Sequence, residues 1–322
     1  MVLVTGATGF VGKEIIKVLR ARGEAVRALV REPKKWERWA RENGVEMTRG
    51  DVMQASMLGE CCQGVDAVIH LVGIIAERGK ATFENVHVRG TQNIIRAAQA
   101  AGVRRFIHMS ALGTRADAVS NYHKTKWQAE ESVRQSGMNW TIFRPSLIYG
   151  AGDQFVNMFA AMLTLPVVGG WKLPCIGDGR TRLQPVGVDE VAECFVQSIH
   201  RHDVWGGEYD LAGEVITFSE LLQTIARSLD FKPTWLDVPA WQWPWKIPLA
   251  LLKGRPVIFT VPFALADMMA SVVEKTPFPL LTRDQVQMLR EHQNGNTEES
   301  ERVFRMKFRD FEEGIGKYKI TT

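Results

Sequence analysis

The sequence predicts an α/β fold, a doubly wound parallel sheet in a chain long enough to carry a smaller second lobe, and three observations predict it. Residues 2–12 read VLVTGATGFVG: a short apolar strand, then glycines at 6, 9 and 12. An amphipathic run follows, with Val11, Ile15, Val18 and Leu19 on one side, and it stops at Gly23, a fitting C-terminal cap. Further apolar runs of strand length recur between helical stretches, the alternation that builds a parallel sheet. Finally, 322 residues with 45% hydrophobic content can bury one large core, or a core plus a lobe.

Strand, glycine turn and helix form the context in which glycines at this spacing bind a dinucleotide. Gly6 permits the tight turn, Gly9 lets the backbone approach a pyrophosphate, and Gly12 lets the helix pack closely on its strand. The helix N-terminus offers free N–H groups and a partial positive charge to the phosphates. Gly6, Thr8, Gly9, Phe10, Val11 and Gly12 are therefore the expected nucleotide cradle.

The second strand, Ala25 to Val30, ends at Arg31, with Lys34 and Lys35 beyond. An acidic residue at this point would accept hydrogen bonds from ribose hydroxyls, whereas a guanidinium suits a 2′-phosphate. Arg31 thus favours NADP(H) over NAD(H), the alternative being a solvated charge cluster that opens the next helix. A third strand ends at Gly50-Asp51-Val52 and a fourth, Ala67 to Leu71, at Val72-Gly73. Strand C-terminal ends line the cofactor crevice of such a sheet, which offers Asp51 and Val52 to the adenine and Leu71, Val72 and Gly73 to the adjacent ribose. Each is equally an ordinary strand-to-loop position. His70, inside the apolar fourth strand, reads as a hydrogen-bonded core residue.

The segment NVHVRGTQN, from Asn85, leads into the helix IIRAAQAAG, and a fifth strand, Arg105 to Met109, ends at Ser110. Ser120 then caps a helix that carries Tyr122 and Lys126 one turn apart on one face. A nearby ammonium favours the phenolate, as a general acid/base working near neutral pH requires. Ser110, at a strand tip, can polarise a reacting carbonyl oxygen. A sixth strand, Trp140 to Ser146, brings Pro145 close to the nicotinamide.

Farther on, Phe155 to Leu163 reads as helix, Lys172 to Gln184 as glycine-broken loop, Pro185 to Ala192 as the opening of a helix and Glu208 to Leu211 as a short strand. Thr217 and Glu220 have capping-box spacing. From Trp235 to Leu281 the chain interleaves Trp235, Trp241, Trp243 and Trp245 with prolines and aliphatic residues. This stretch fits a peripheral membrane contact, a partner-protein contact, the wall of an apolar pocket, or the core of a small second lobe. After it come a polar helix from Thr282, a charged loop around Asn294 to Glu301, and a short tail.

Lys and Arg number 40 against 36 Asp and Glu, a net charge of +4, which is too mild to argue for nucleic acid. The spacing of Cys61, Cys62, Cys175 and Cys194 fits neither a metal site nor a disulfide framework, so no metal is expected and a reducing compartment is. A first strand at Val2 leaves no room for a signal peptide, and no apolar run is long enough to cross a bilayer. The expectation is a cytoplasmic protein, with peripheral membrane contact left open by the Trp/Pro stretch. No decisive apolar stripe marks a dimer interface, and the oligomeric state stays open.

With TGATGFVG, NVHVRGTQN, Ser110, Tyr122-x-x-x-Lys126, Arg144-Pro145-Ser146 and GDGRTRLQPVGVDEVA in its sequence, the chain resembles the short-chain dehydrogenase/reductase superfamily. The likeness is to its extended or atypical branch, often called NAD-dependent epimerase/dehydratase-like. Within it, VRALVRE, QPVGVDEVA and PLLTRDQVQML are most similar to the accessory subunit of respiratory complex I and its bacterial relatives. The resemblance implies a Rossmann domain over residues 1–150, with 180–212 returning to it, and a C-terminal α/β substrate lobe over 151–179 and 213–322. It implies Tyr122 as catalytic acid/base and Lys126 as its electrostatic partner and a ribose ligand. Ser110 would polarise the substrate oxygen, Asn85 would hold a proton-relay water, and Arg31 would contact the 2′-phosphate. Two functions follow. One is an NADP(H)-dependent oxidoreductase acting on a small, hydrophobic carbonyl or hydroxyl substrate, with nucleotide-sugar epimerase or dehydratase chemistry as a variant on the same residues. The other is a non-catalytic nucleotide-binding accessory or assembly protein of a membrane or quinone-related complex.

Overall fold

The computed structural model describes residues 1–164, 172–229, 234–236, 257–274, 281–291 and 294–318. Its main sheet contains β1 (Val2–Thr5), β2 (Val26–Val30), β3 (Glu46–Arg49), β4 (Ala67–His70), β5 (Arg105–Met109) and β6 (Asn139–Pro145). The spatial order is 3-2-1-4-5-6, the Gly207–Leu211 strand adds a seventh member beyond β6, and every pair is parallel. This is the Rossmann-type doubly wound sheet, with its order reversing between β1 and β4. β1 and β4 are buried along their whole length, as strands covered on both faces are, which is why they read as continuous apolar runs.

Helix α1 (Phe10–Ala21) follows the glycine turn and α2 (Glu37–Asn43) follows β2. Helices α3 (Gly90–Ala100) and α4 (Asn121–Arg134) cover one face of the sheet, over Leu3, Val68, Phe106 and Ile142. On the other face α1 lies beside the Val188–Gln197 helix, and Arg22 pairs with Glu193. The turn into α1 needs two of its glycines for separate reasons. Gly6 has φ +70°, and a Cβ on Gly12 would stand 2.3 Å from the Gly6 carbonyl oxygen and 2.9 Å from that of Ala7.

Three local readings of the sequence are corrected. NVHVRGTQN does not merely precede a helix: Glu84–Arg89 is itself a π-helical turn running directly into α3. Lys172–Gln184 is not all loop, because Lys172–Ile176 and Arg182–Leu183 are strands. Pro174 is tolerated there because, among the described residues, its strand pairs on one side only, with Val257–Val261, at the edge of a small sheet. The charged stretch after Asn294 winds into the helix Glu298–Phe304. That helix is held by Phe304 against Phe143 and Tyr209, ring centroids 5.4 and 5.2 Å apart, and by Ser300 Oγ donating to Asp210 O at 2.6 Å. The tail holds a further helix, Phe311–Gly316.

The chain divides into two compact units. The first comprises Met1–Ser146, Val188–Leu211 and Gly295–Lys307, and the second Leu147–Gly187, Ala212–Asn294 and Phe308–Thr322. Residues 180–187 therefore group with the second unit and 295–307 with the first. The second unit has its own core, in which Phe159, Phe218, Leu222, Ile258 and Phe311 are buried. Its Phe218–Ser228 helix starts at a complete capping box between Thr217 and Glu220. Trp241, Trp243 and Trp245 lie outside the described residues. Among the described residues no helix is long and apolar enough to cross a membrane, and the four cysteines are free and buried.

Two alanine substitutions separate crowding from backbone strain. Gly12→Ala is expected to cost about 3 kcal/mol or more, because backbone atoms must move. Gly23→Ala, with φ +77° but open space around it, should cost about 1 kcal/mol. Denaturant midpoints of the two variants check the order, and equal losses would show that the turn is not tightly packed.

Candidate active site

Helix α4 begins where expected because Ser120 Oγ accepts the His123 amide at 3.2 Å. The four-residue spacing then sets Tyr122, Lys126 and Glu130 in a row along the helix. Lys126 is only 2% exposed, and its Nζ donates to Met109 O at 3.0 Å, at the end of β5. Burial pulls its pKa down to about 8, against the opposing pull of the Glu130 carboxylate. A Cβ on Gly73 would stand 3.1 Å from Nζ, so the chain leaving β4 passes directly over the ammonium.

Ser110, the residue after Met109, is 3% exposed, and its hydroxyl donates to Thr114 Oγ1 at 3.3 Å. The loop after β5 is pinned to the end of β6 by Ser110 N donating to Phe143 O (2.7 Å) and Leu112 N to Pro145 O (2.9 Å). Pro145 thus closes the same strand-end edge as Ser110. The half-buried Tyr122 ring meets Phe83 and His87 edge-on, with centroids 5.9 and 5.4 Å apart. The structure therefore brings Ser110, Tyr122 and Lys126 to one end of the sheet. Asn85 is not joined to them: its amide donates to Lys80 O at 2.9 Å. His87, two residues on, occupies that position against Tyr122.

The nucleotide cradle lies at the same edge. Gly9 N donates to Gly6 O at 3.0 Å, and Gly9 is the N-cap of α1. Gly9 is exposed, Thr8 and Phe10 are half-buried, and Val11 and Gly12 are buried against the fold. Arg31 follows β2 directly and is exposed, while Lys35 is tied to Glu32 at 2.7 Å. The Asp51 carboxylate accepts Met53 N at 3.0 Å, and Asn93 holds Val52 O at 2.9 Å, so both residues are built into the turn after β3. Leu71 N donates to Thr5 Oγ1 at 3.3 Å, which links the tips of β4 and β1.

Beneath Lys126 lies a layer of neutral histidines. The His70 ring is held by Thr5 Oγ1 at 2.7 Å and Thr91 Oγ1 at 3.1 Å, and it stacks on His108 with centroids 5.6 Å apart. Burial first, and the Lys126 charge next, push the His70 pKa down to about 3 and that of His108 well below its ordinary value. On the far side of Lys126, the buried Glu130 carboxylate accepts from Arg144 Nε (2.8 Å) and Nη2 (2.6 Å) and from Arg134 Nη2 (2.6 Å). Glu208 joins the same two guanidiniums at 2.5 and 2.7 Å. This network ties α4 to β6 and the Gly207–Leu211 strand. No local sequence pattern announces it, because its members are adjacent only in the fold.

Sheets of this kind bind dinucleotides at the strand ends where their order reverses, and here that point carries the glycine turn and Gly73. The profile of a family described as NAD(P)H-binding matches residues 6–154. The chain is 31% identical over 242 residues to a ceramide reductase of Caulobacter vibrioides, covering 74% of each protein. It is 28% identical over 285 residues to the mitochondrial NADH dehydrogenase [ubiquinone] 1 alpha subcomplex subunit 9 of Arabidopsis thaliana, covering 86% of this chain and 65% of that one. A nucleoside-diphosphate-sugar epimerase from Staphylococcus aureus superposes with a TM-score of 0.73 at 17% identity, covering 98% of this chain and 99% of that one, a likeness of fold. The chain belongs to the NAD(P)-dependent short-chain dehydrogenase/reductase superfamily, and the relatives it matches include reductases and dehydrogenases.

The buried ammonium has a pH signature. Above about pH 8 the folded lysine releases its proton, while the unfolded chain keeps it to about 10.5. The unfolded state then binds more protons, so stability rises with pH across that window, and below it the cost of burial is constant. Lys126→Met is expected to be more stable than wild type at pH 7, by on the order of 2 kcal/mol, with the gap closing toward pH 10. Denaturation at the two pH values checks this, and a variant equally or less stable at both would show that the ammonium is not desolvated.

Proposed function

We propose that this protein is an NADP(H)-dependent oxidoreductase that acts on a carbonyl or hydroxyl of an apolar substrate, with Tyr122 as the acid/base. The observation that carries this reading is the Lys126–Met109 hydrogen bond. It fixes the tyrosine's electrostatic partner one residue before Ser110. Lys126 favours the phenolate of Tyr122 and so eases proton exchange with the substrate oxygen, while Ser110 polarises that oxygen. The packing of Gly6, Gly9 and Gly12 against the backbone of Gly6, Ala7 and Leu71 holds the turn tightly at the start of α1, whose free N–H groups can take a pyrophosphate. Gly6, Thr8, Gly9, Phe10, Val11 and Gly12 would hold the phosphates, and Arg31 the 2′-phosphate. Asp51, Val52, Leu71, Val72 and Gly73 would hold the adenosine half, and Tyr122, Lys126 and Pro145 the nicotinamide half. When bound, the dinucleotide supplies hydride chemistry at the carbon that carries the oxygen. Holding reactants in register contributes several kcal/mol of the barrier reduction.

An apolar substrate is supported by the relative that reduces a ceramide, and by the Trp/Pro composition of residues 235–281. A second reading, a nucleotide-binding accessory protein docked to a membrane complex through that stretch, is favoured by the similarity to the complex I subunit over 86% of this chain. The coexistence of Ser110, Tyr122 and Lys126 at one edge weighs toward chemistry.

Titration with NADPH and NADH, read by tryptophan-to-nicotinamide energy transfer, tests the cofactor half of the proposal. NADPH is expected to bind at least ten-fold tighter, about 1.4 kcal/mol, with that advantage lost in Arg31→Asp. Equal affinities would remove Arg31 from the site, and no binding of either would overturn the oxidoreductase. For the accessory reading, changing Trp241, Trp243 and Trp245 together to Ser should abolish partner capture, whereas an enzyme would show altered substrate affinity instead.

A further inference from the structure

We propose that His87 is a positioning residue, a neutral imidazole protonated on Nδ1 that clamps the tip of β4 to helix α4 and thereby sets Tyr122 and Lys126 against that tip. The kinetic consequence rests on the oxidoreductase reading above, but the clamp itself does not.

His87 is 1% exposed and sits in the π-helical turn Glu84–Arg89. The backbone amide of Ile74 donates to its Nε2 at 3.1 Å. An amide N–H can only donate, so Nε2 must carry a lone pair. Ile74 O also lies 3.1 Å from Nε2, but a hydrogen placed there would face the Ile74 N–H. At the other end of the ring, Nδ1 is 3.0 Å from Thr125 Oγ1. That hydroxyl lies 2.9 Å from Asn121 O and 3.0 Å from Tyr122 O, both of which only accept. With its single hydrogen directed at either carbonyl, Oγ1 is left to accept from Nδ1–H. Both ends of the ring thus suit the same tautomer.

The three bonds form one path, from Ile74 through His87 and Thr125 to the carbonyls of α4's first turn. Tyr122 lies in that turn, and Lys126 follows Thr125 directly. A Cβ on Gly73 would stand 3.6 Å from His87 Nε2 and 3.1 Å from Lys126 Nζ, so the imidazole and the ammonium lie side by side under one peptide. The ring also stacks on Phe83 at 5.3 Å and meets the Tyr122 ring at 5.4 Å and 89°. Loss of the clamp frees Tyr122 from its edge contact and frees the strand tip from α4, without removing any group that touches the reacting atoms.

The test uses full-length protein labelled with 15N-histidine. The His87 ring signals, assigned by their absence in His87→Gln, should show a neutral imidazole with hydrogen on Nδ1, unchanged between pH 5 and 8. Signals of the opposite tautomer, or of a ring that titrates in that range, would overturn the proposal. In the kinetic arm, His87→Phe keeps the ring but neither hydrogen bond and should lower kcat at least ten-fold with KM changed less than three-fold. His87→Gln, which can still accept the Ile74 amide, should recover part of that loss. A lowered melting temperature with unchanged kcat in both variants would make His87 merely structural and would overturn the proposal. Absence of turnover in wild type would count against the oxidoreductase, and the tautomer spectrum would still decide the clamp.

Discussion

Taking an ammonium out of water costs several kcal/mol unless its hydrogens find acceptors, and Lys126 is placed in that position by the helix that carries it. The ion is held by the carbonyl of Met109, the last residue of β5, so helix α4 and that strand are joined at a charge. Much of the surrounding structure follows from keeping that charge where it is. A Cβ on Gly73 would press on Nζ. His70 and His108 stay neutral first because they are buried away from water, and next because a cation beside the Lys126 ammonium would be repelled.

The same constraint explains the ion-pair network one turn farther along α4. Glu130 is fully buried, which is costly for a carboxylate unless its lone pairs are filled, and Arg134 and Arg144 fill them. It offsets part of the Lys126 burial cost through space while its arginines tie the helix to β6. Packing, electrostatics and site geometry here are one arrangement: α4 cannot shift along the sheet without breaking the Arg144–Glu130 pair or moving Nζ from Met109.

Much of this was legible in the order of the residues, and the parts that were not have physical reasons. Strands covered on both faces leave unbroken apolar runs, so β1 and β4 could be read directly, as could the glycine turn, whose spacing is dictated by local geometry. Ser120 announced the start of α4, and the 3.6-residue period then put Tyr122 and Lys126 in line. Asn85 and His87 could not be ranked by that period. They sit in a π-helical turn, whose wider winding changes which residues face α4. Pro174 disguised a strand, because proline is excluded only where both edges must pair. The Glu130 network left no trace, since side chains that meet across a sheet share no local pattern.

As proposed above, Tyr122 moves a proton at this edge of the sheet. The direct measurement is oxidation of NADPH by purified protein against apolar ketones, followed at the nicotinamide absorbance, for wild type and Tyr122→Phe. Ketone-dependent oxidation is expected in wild type, with its loss by at least a hundred-fold in the variant and NADPH binding retained, as removal of a general acid/base implies. Equal turnover by the two proteins, or NADPH binding without turnover of any ketone in wild type, would contradict it.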